Sequence, residues 1–365
     1  MQGDPESAIT SGPPPLRTDL LGRTPYGAPQ VNARARLNTN ENPYPPSPAL
    51  VTAISAAATV AATSLNRYPD RDAVALRQDL AAYLGHGLTA GQVWAANGSN
   101  EIIQQVFQAY GGPGRSALGF EPSYSMHPII AKTTSTEWLP AARADDFGVD
   151  AERATAAVAE LNPDLVFLTS PNNPTGTAMS LDVIEEVCKI APGVVVVDEA
   201  YAEFARNPDA TALNLLPRYP GLIVIRTMSK AFAMAGARIG YLAADRAIVD
   251  GLQVVRLPYH MSAITQAVAR AALAHTEELL ANVAVISQAR DELVSWLRGR
   301  SLKAADSDTN FVLFGTFGDR HAIWQALLDR GVLIREVGPA GWLRVTIGTD
   351  EELTAFREAL DAVLA

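Results

Sequence analysis

Val194-Val195-Val196-Val197-Asp198-Glu199-Ala200-Tyr201 is a run of four valines with no polar break, closed by a carboxylate. β-Branched residues favour strands. A strand apolar on both faces must be covered on both faces, which is the situation of a parallel sheet. The pattern recurs: Val93–Ala96, Leu165–Thr169, Leu222–Thr227 and Ile239–Ala243 read as strands, while Ile102–Tyr110 and Leu181–Ile190 read as helices. From about residue 90 to 260 the expectation is an α/β large domain, its mostly parallel central sheet sandwiched by helices.

The flanks differ in character. Residues 1–35 are rich in Pro and Gly and read as an arm or lid, disordered at the very start. Leu50–Ala62 and Asp72–Leu84 read as helices. Beyond residue 265 one long helix (Gln266–Arg298) is expected, then Asn310–Phe314, a helix at Ala322–Asp329, strands at Val332–Glu336 and Leu343–Ile347, and a last helix from Glu351. That is a smaller α+β domain. The expected division is an arm at 1–35, a small-domain segment at 36–60, a large cofactor-binding domain at 61–264 and a small C-terminal domain at 265–365.

Composition excludes several functions. Of 365 residues 48% are hydrophobic, enough for a large core, and the net charge is −10 with no basic stripe, so nucleic acid is not an expected partner. The single cysteine, Cys188, rules out an intramolecular disulfide and a cysteine-based zinc site; it sits in a helical pattern and reads as structural, and no metal is expected. No stretch has the apolar length of a membrane span, and the N-terminus lacks the basic and hydrophobic blocks of a signal peptide. The expected location is the cytoplasm.

The chemistry lies at the strand ends. Thr227-Met228-Ser229-Lys230-Ala231-Phe232 follows one strand, and Arg238 comes in Gly236-Ala237-Arg238-Ile239-Gly240. A lysine, an arginine and the acid Asp198 together match the needs of pyridoxal 5'-phosphate (PLP): Lys230 to bond the aldehyde, Asp198 to balance the ring nitrogen, Arg238 to take the phosphate. An isolated lysine after a strand is usually solvated, and a carboxylate at a strand end is usually a cap or a salt-bridge partner. It is the set that favours the cofactor. Tyr201, three residues past Asp198, and Asn173, in the turn Ser170-Pro171-Asn172-Asn173-Pro174-Thr175-Gly176, are placed to donate to the ring's phenolate oxygen. Gly98-Ser99-Asn100 leads into a helix N-terminus, which offers free N–H groups to a phosphate alongside Ser229 and Arg238. Tyr124 is expected to stack on the ring. Gly111-Gly112-Pro113-Gly114 matches no nucleotide loop and reads as a turn.

These residues resemble fold type I PLP enzymes, the aspartate aminotransferase superfamily. Asn38-Thr39-Asn40-Glu41-Asn42-Pro43, Arg67-Tyr68-Pro69-Asp70, Ser170 to Gly176 and Ser229 to Gly240 narrow the resemblance to the histidinol-phosphate aminotransferase family, from about Tyr26 to the C-terminus. The resemblance implies transfer of an amino group from L-histidinol phosphate to 2-oxoglutarate in histidine biosynthesis, with small-molecule partners only. It also implies a homodimer with shared active sites, in which Tyr68 reaches the other subunit's cofactor phosphate. Tyr26, Arg335 and Arg344 would hold the substrate's anionic end, and arginine forks suit phosphate and carboxylate alike. For the imidazole the candidates are Asn40, Glu41 and Tyr124, with Tyr259 and His260 nearby, His260 reading rather as structural. Ala233 stands where such proteins often have glycine, a departure expected to affect local packing only. Two activities on the same scaffold remain open, an aromatic amino acid aminotransferase and a threonine-phosphate-type decarboxylase. A non-catalytic regulator would need a DNA-binding module, for which residues 1–35 leave no room.

Overall fold

Seven strands form the central sheet of the computed structural model, which describes residues 14–365; the expected disorder at the very start of the arm falls on residues 1–13, outside the described residues. In chain order the elements begin with β1 (Ala35–Arg36), α1 (Pro48–Ala62), α2 (Val74–Leu84), β2 (Val93–Ala96), α3 (Ser99–Tyr110), β3 (Ser116–Glu121), α4 (Met126–Thr133), β4 (Glu137–Ala142) and α5 (Ala151–Leu161). They continue with β5 (Leu165–Thr169), α6 (Leu181–Ile190), β6 (Val194–Asp198), β7 (Leu222–Thr227), β8 (Gly240–Ala244), α7 (Arg246–Val255), α8 (Ala263–Leu273) and α9 (Thr276–Gly299). The last are β9 (Lys303–Ala304), β10 (Phe311–Gly315), α10 (Arg320–Asp329), β11 (Val332–Leu333), β12 (Trp342–Thr346) and α11 (Asp350–Leu364).

The central sheet has the order β2-β8-β7-β6-β5-β3-β4, and only β8 runs against its neighbours. Alternation along each strand divides its side chains between two cores. Val195 and Val197 of β6, with Val166 and Leu168 of β5, face the layer containing α2, α5 and α6. Val194 and Val196, with Leu165 and Phe167, face α3, α4 and α7. The absence of a polar break in the valine run follows from this two-sided cover. A second, antiparallel sheet has the order β12-β10-β9, and β1 pairs in parallel with β11. No helix among the described residues is long and apolar enough to cross a membrane.

Three expectations need correction. The long helix is two: α8 ends at Leu273 and α9 begins at Thr276. The break carries start signals, since Glu277 and Glu278 lie in the first turn of α9, where the helix dipole favours acids, and the Thr276 hydroxyl donates to Leu273 O. The strand expected over Val332–Glu336 shrinks to Val332–Leu333, with Arg335 joined to Arg344 only by an isolated bridge. Ala233 is more than a packing change, because its φ of +53° puts a Cβ in the left-handed region that favours glycine.

Ala233→Gly should therefore raise stability by ~0.5–1 kcal/mol, the left-handed penalty less the entropy glycine loses on folding. The denaturant midpoint measures it, and an unchanged or lowered midpoint would contradict the strain.

Candidate active site

The loops that leave the carboxyl ends of β2, β3, β5, β6 and β7 converge on one cavity of about 410 Å3. Ligands of open α/β sheets bind at this edge. Of the residues expected from the sequence, Tyr26, Asn40, Ser99, Asn100, Tyr124, Asn173, Asp198, Tyr201, Ser229, Lys230, Arg238, Arg335 and Arg344 all line it. Gly98 stands just behind the wall. Its φ is +92°, and a Cβ there would lie 2.7 Å from Arg238 Nη2, so glycine is what lets the guanidinium close on the turn. Gly240 serves the same approach from β8, where a Cβ would meet Ser99 N at 2.2 Å. The result is a cradle built from the start of α3, Ser229 and Arg238, which fits a phosphate.

Lys230 is part-buried, and its Nζ donates to Thr39 O at 3.0 Å. Burial, and after it the charge of Arg344, lowers the amine to about 8; Arg238 acts the same way and Glu41 against it. An amine so lowered is a nucleophile near neutral pH.

Asp198 is 3% exposed, yet its carboxylate is satisfied from two sides: Ala200 N–H donates to Oδ1 at 3.1 Å and His127 Nε2 to Oδ2 at 3.1 Å. His127 was not anticipated from the sequence. It lies 1% exposed on α4, wedged against Phe167 and edge-on to Tyr124. No spacing signal marks it, because Tyr124 precedes the N-cap Ser125 of α4 and the partner Asp198 lies 71 residues away.

Two donors are oriented by what lies behind them. Arg344 Nη1 donates to Asn173 Oδ1 at 2.5 Å, which turns the amide NH2 of Asn173 the other way. Tyr201 keeps its proton because burial pushes the phenol up to about 12, although Arg344 and the Asn40 hydrogen bond oppose the shift. Asn40 Nδ2 donates to Tyr201 Oη at 2.9 Å, so the amide of Asn40 is occupied with Tyr201. The Tyr124 hydroxyl donates to Asn100 Oδ1 at 3.2 Å.

The opposite wall is cationic. Arg344 Nη2 donates to Asn38 O at 2.9 Å, and its Nε is buried without a partner. Burial lowers this guanidinium to about 10, and the neighbouring Arg335 charge adds to the shift. Arg335 lies 5.9 Å from the ring of Tyr26. Two guanidinium groups lining one cavity are suited to an anion. Glu41 lines the cavity and accepts from the Thr39 hydroxyl at 2.9 Å. His260 is outside it, with Nε2 against Ala95 O at 2.9 Å and the ring stacked on Trp94. Tyr68 is also outside: it is 80% exposed and stacks on Tyr259 with centroids 4.4 Å apart. Among the described residues no cluster of His, Cys, Asp and Glu is arranged for a metal.

Residues 35–360 match the family model "Aminotransferase class I and II". A histidinol-phosphate aminotransferase of Thermobifida fusca is 66% identical over 95% of this chain and 94% of its own length. Another, of Frankia casuarinae, is 59% identical over 96% of this chain and 90% of its own. The structure of histidinol-phosphate aminotransferase from Sinorhizobium meliloti in complex with pyridoxal-5'-phosphate superposes with a TM-score of 0.81, at 28% identity, and covers 91% of each chain.

In the cofactor-free protein the reactivity of Lys230 toward an amine-modifying reagent should rise with pH to a half-maximum near 8. Below that value the amine is protonated and silent. Ordinary lysines remain protonated until roughly pH 10.4. Peptide-level mass spectrometry follows the site, and a half-maximum near 10 would show that the amine is solvated.

Proposed function

We propose that this chain, which belongs to the class I and II aminotransferases and within them to the histidinol-phosphate aminotransferases, transfers the amino group of L-histidinol phosphate to 2-oxoglutarate with PLP as the carrier. The products are imidazole acetol phosphate and L-glutamate, a step of histidine biosynthesis, and the scaffold is fold type I. The observation that carries the reading is one cavity in which a lysine amine lowered to about 8 meets a buried aspartate and three arginines, Arg238, Arg335 and Arg344.

What PLP supplies when bound is an aldehyde for the substrate amine and a ring that draws electrons from the substrate's Cα. The remaining work falls to side chains. Lys230 Nζ would hold the aldehyde, and the same amine, 3.0 Å from Thr39 O, is placed to take a proton from the substrate's Cα as base and give it back as acid. Asp198, braced by His127, would balance the ring nitrogen. Tyr201 and Asn173 would donate to the ring oxygen, and Tyr124 would cover the ring. Ser99, Asn100, Ser229 and Arg238 would hold the phosphate, with Gly98 shaping the turn.

Arg344 and Arg335, with Tyr26, bind the substrate's anionic end. Histidinol phosphate offers a phosphate there and 2-oxoglutarate a carboxylate, and a guanidinium pairs with either. Glu41, which lines the cavity and accepts from Thr39 through Oε2 only, offers Oε1 to an imidazole N–H, since the Asn40 amide is occupied with Tyr201. The same reading makes the protein a cytoplasmic homodimer. Exposed Tyr68, Tyr259 and Leu257, at 80%, 40% and 76%, form an apolar surface that a second copy would cover. Tyr68 of the partner subunit would complete the phosphate site.

The purified protein with PLP should change absorbance when histidinol phosphate is added and revert with 2-oxoglutarate. Lys230→Ala should fold and lose turnover by roughly 10²–10⁴-fold or more. Faster turnover of phenylalanine, or release of CO2, would overturn the substrate assignment. Mixing Lys230→Ala with Tyr68→Phe should recover activity above the sum of the two, because hybrid dimers contain one intact site. No recovery would count against a shared site.

A further inference from the structure

Tyr201 must present a proton to the cavity, and nothing in its own position ensures that it does. A phenol beside a carboxamide can either accept from the NH2 or donate to the C=O. Which occurs depends on how the Asn40 amide is turned, and the groups behind Asn40 decide that.

Asn40, Thr346 and Tyr201 are 2%, 3% and 4% exposed, so their polar atoms must be satisfied by protein partners or by what the cavity holds. Asn40 N–H donates to Thr346 Oγ1 at 3.0 Å. That bond uses the hydroxyl as an acceptor and leaves its own hydrogen to be placed. The sole acceptor for it among the described residues is Asn40 Oδ1, at 3.1 Å. With Oδ1 so occupied, Nδ2 faces Tyr201 Oη and donates at 2.9 Å. Flipping the amide would point NH2 at a hydroxyl that already accepts a backbone N–H, and would leave the hydroxyl hydrogen unpaired. The backbone on either side is pinned: Thr346 N–H donates to Leu37 O at 3.0 Å, and Asn310 Nδ2 to Asn40 O at 3.1 Å. The φ of +55° at Asn40 lets its backbone N–H and its side chain address the same hydroxyl, and asparagine tolerates that conformation.

We propose that Thr346, on β12, is a positioning residue: its hydroxyl sets the Asn40 amide so that Tyr201 accepts from behind and donates forward to the cofactor's ring oxygen. The inference rests on the PLP reading above. The charged and titratable groups acting on Tyr201 are Arg344 from β12, Asp198 from β6, Tyr26 from the arm and Lys230, whose Nζ lies 6.0 Å from the Tyr201 ring.

The test is the pH midpoint of the bound cofactor's visible absorbance. A donor at the ring oxygen lowers that midpoint. Thr346→Val, nearly isosteric but without the hydroxyl, should raise it by roughly 0.5–1 unit, the net worth of about one hydrogen bond. Thr346→Ser should restore it. Tyr201→Phe should raise it at least as far, and adding Thr346→Val to Tyr201→Phe should change nothing more. Thr346→Ala replaces Thr346→Val if the valine methyl disturbs folding. A midpoint unmoved by Thr346→Val while Tyr201→Phe moves it overturns the inference alone. A midpoint unmoved by Tyr201→Phe overturns the role of Tyr201 as well.

Discussion

The register of three parallel strands is the constraint on which the site depends. Thr169 of β5 pairs with Asp198 of β6, and Asp198 with Ile225 of β7. The loops carrying Asn173, Tyr201 and Lys230 therefore leave the sheet at nearly the same level and open into one cavity. A slip of one residue would turn Asp198 to the opposite face, because side chains alternate along a strand. Hydrophobic cover on both faces opposes such a slip, since every valine of β6 would exchange cores.

Charge burial is managed separately on the two sides of β6. Asp198 faces the cavity. Glu199, the next residue, faces the other layer, where Arg226 Nε and Nη2 both donate to its Oε2 at 3.1 and 2.8 Å. Thr211 Oγ1 donates to the same oxygen at 2.8 Å, and Ala212 N–H to Oε1 at 2.6 Å. Glu203 lies beside this pair and accepts from the Tyr83 hydroxyl at 3.2 Å; burial raises its carboxyl, while Arg226 opposes the shift. A buried ion pair adds little net stability, but losing either partner is costly. Here the pair anchors the segment after β6 from behind, so the loop holding Tyr201 is fixed on both sides.

Much of the site could be read from local patterns. Lys230, Asp198, Arg238 and the Gly98 turn each sit at a strand end or helix start, and strand ends show in the sequence. The edge of the sheet was harder to see. β4 contains Pro140 and is partly exposed along its length, as suits an edge strand. β3 contains Gly119, required because a Cβ there would lie 2.2 Å from the Trp138 ring. Neither has the apolar continuity that marks β5 to β7. The α8–α9 break leaves no gap in the apolar periodicity, which continues through a two-residue turn.

From the residues alone come the α/β class, the cofactor and the side chains that line the cavity, because those follow from hydrophobic period and from chemistry concentrated at element ends. Tertiary structure decided the pairings that give these side chains direction. His127 meets Asp198 across 71 residues, Asn40 meets Tyr201 across 161, and Arg344 meets Asn173 across 171. Donor and acceptor orientation at a buried amide or phenol depends on which partners folding brings within about 3 Å, and no local pattern encodes a partner so far along the chain.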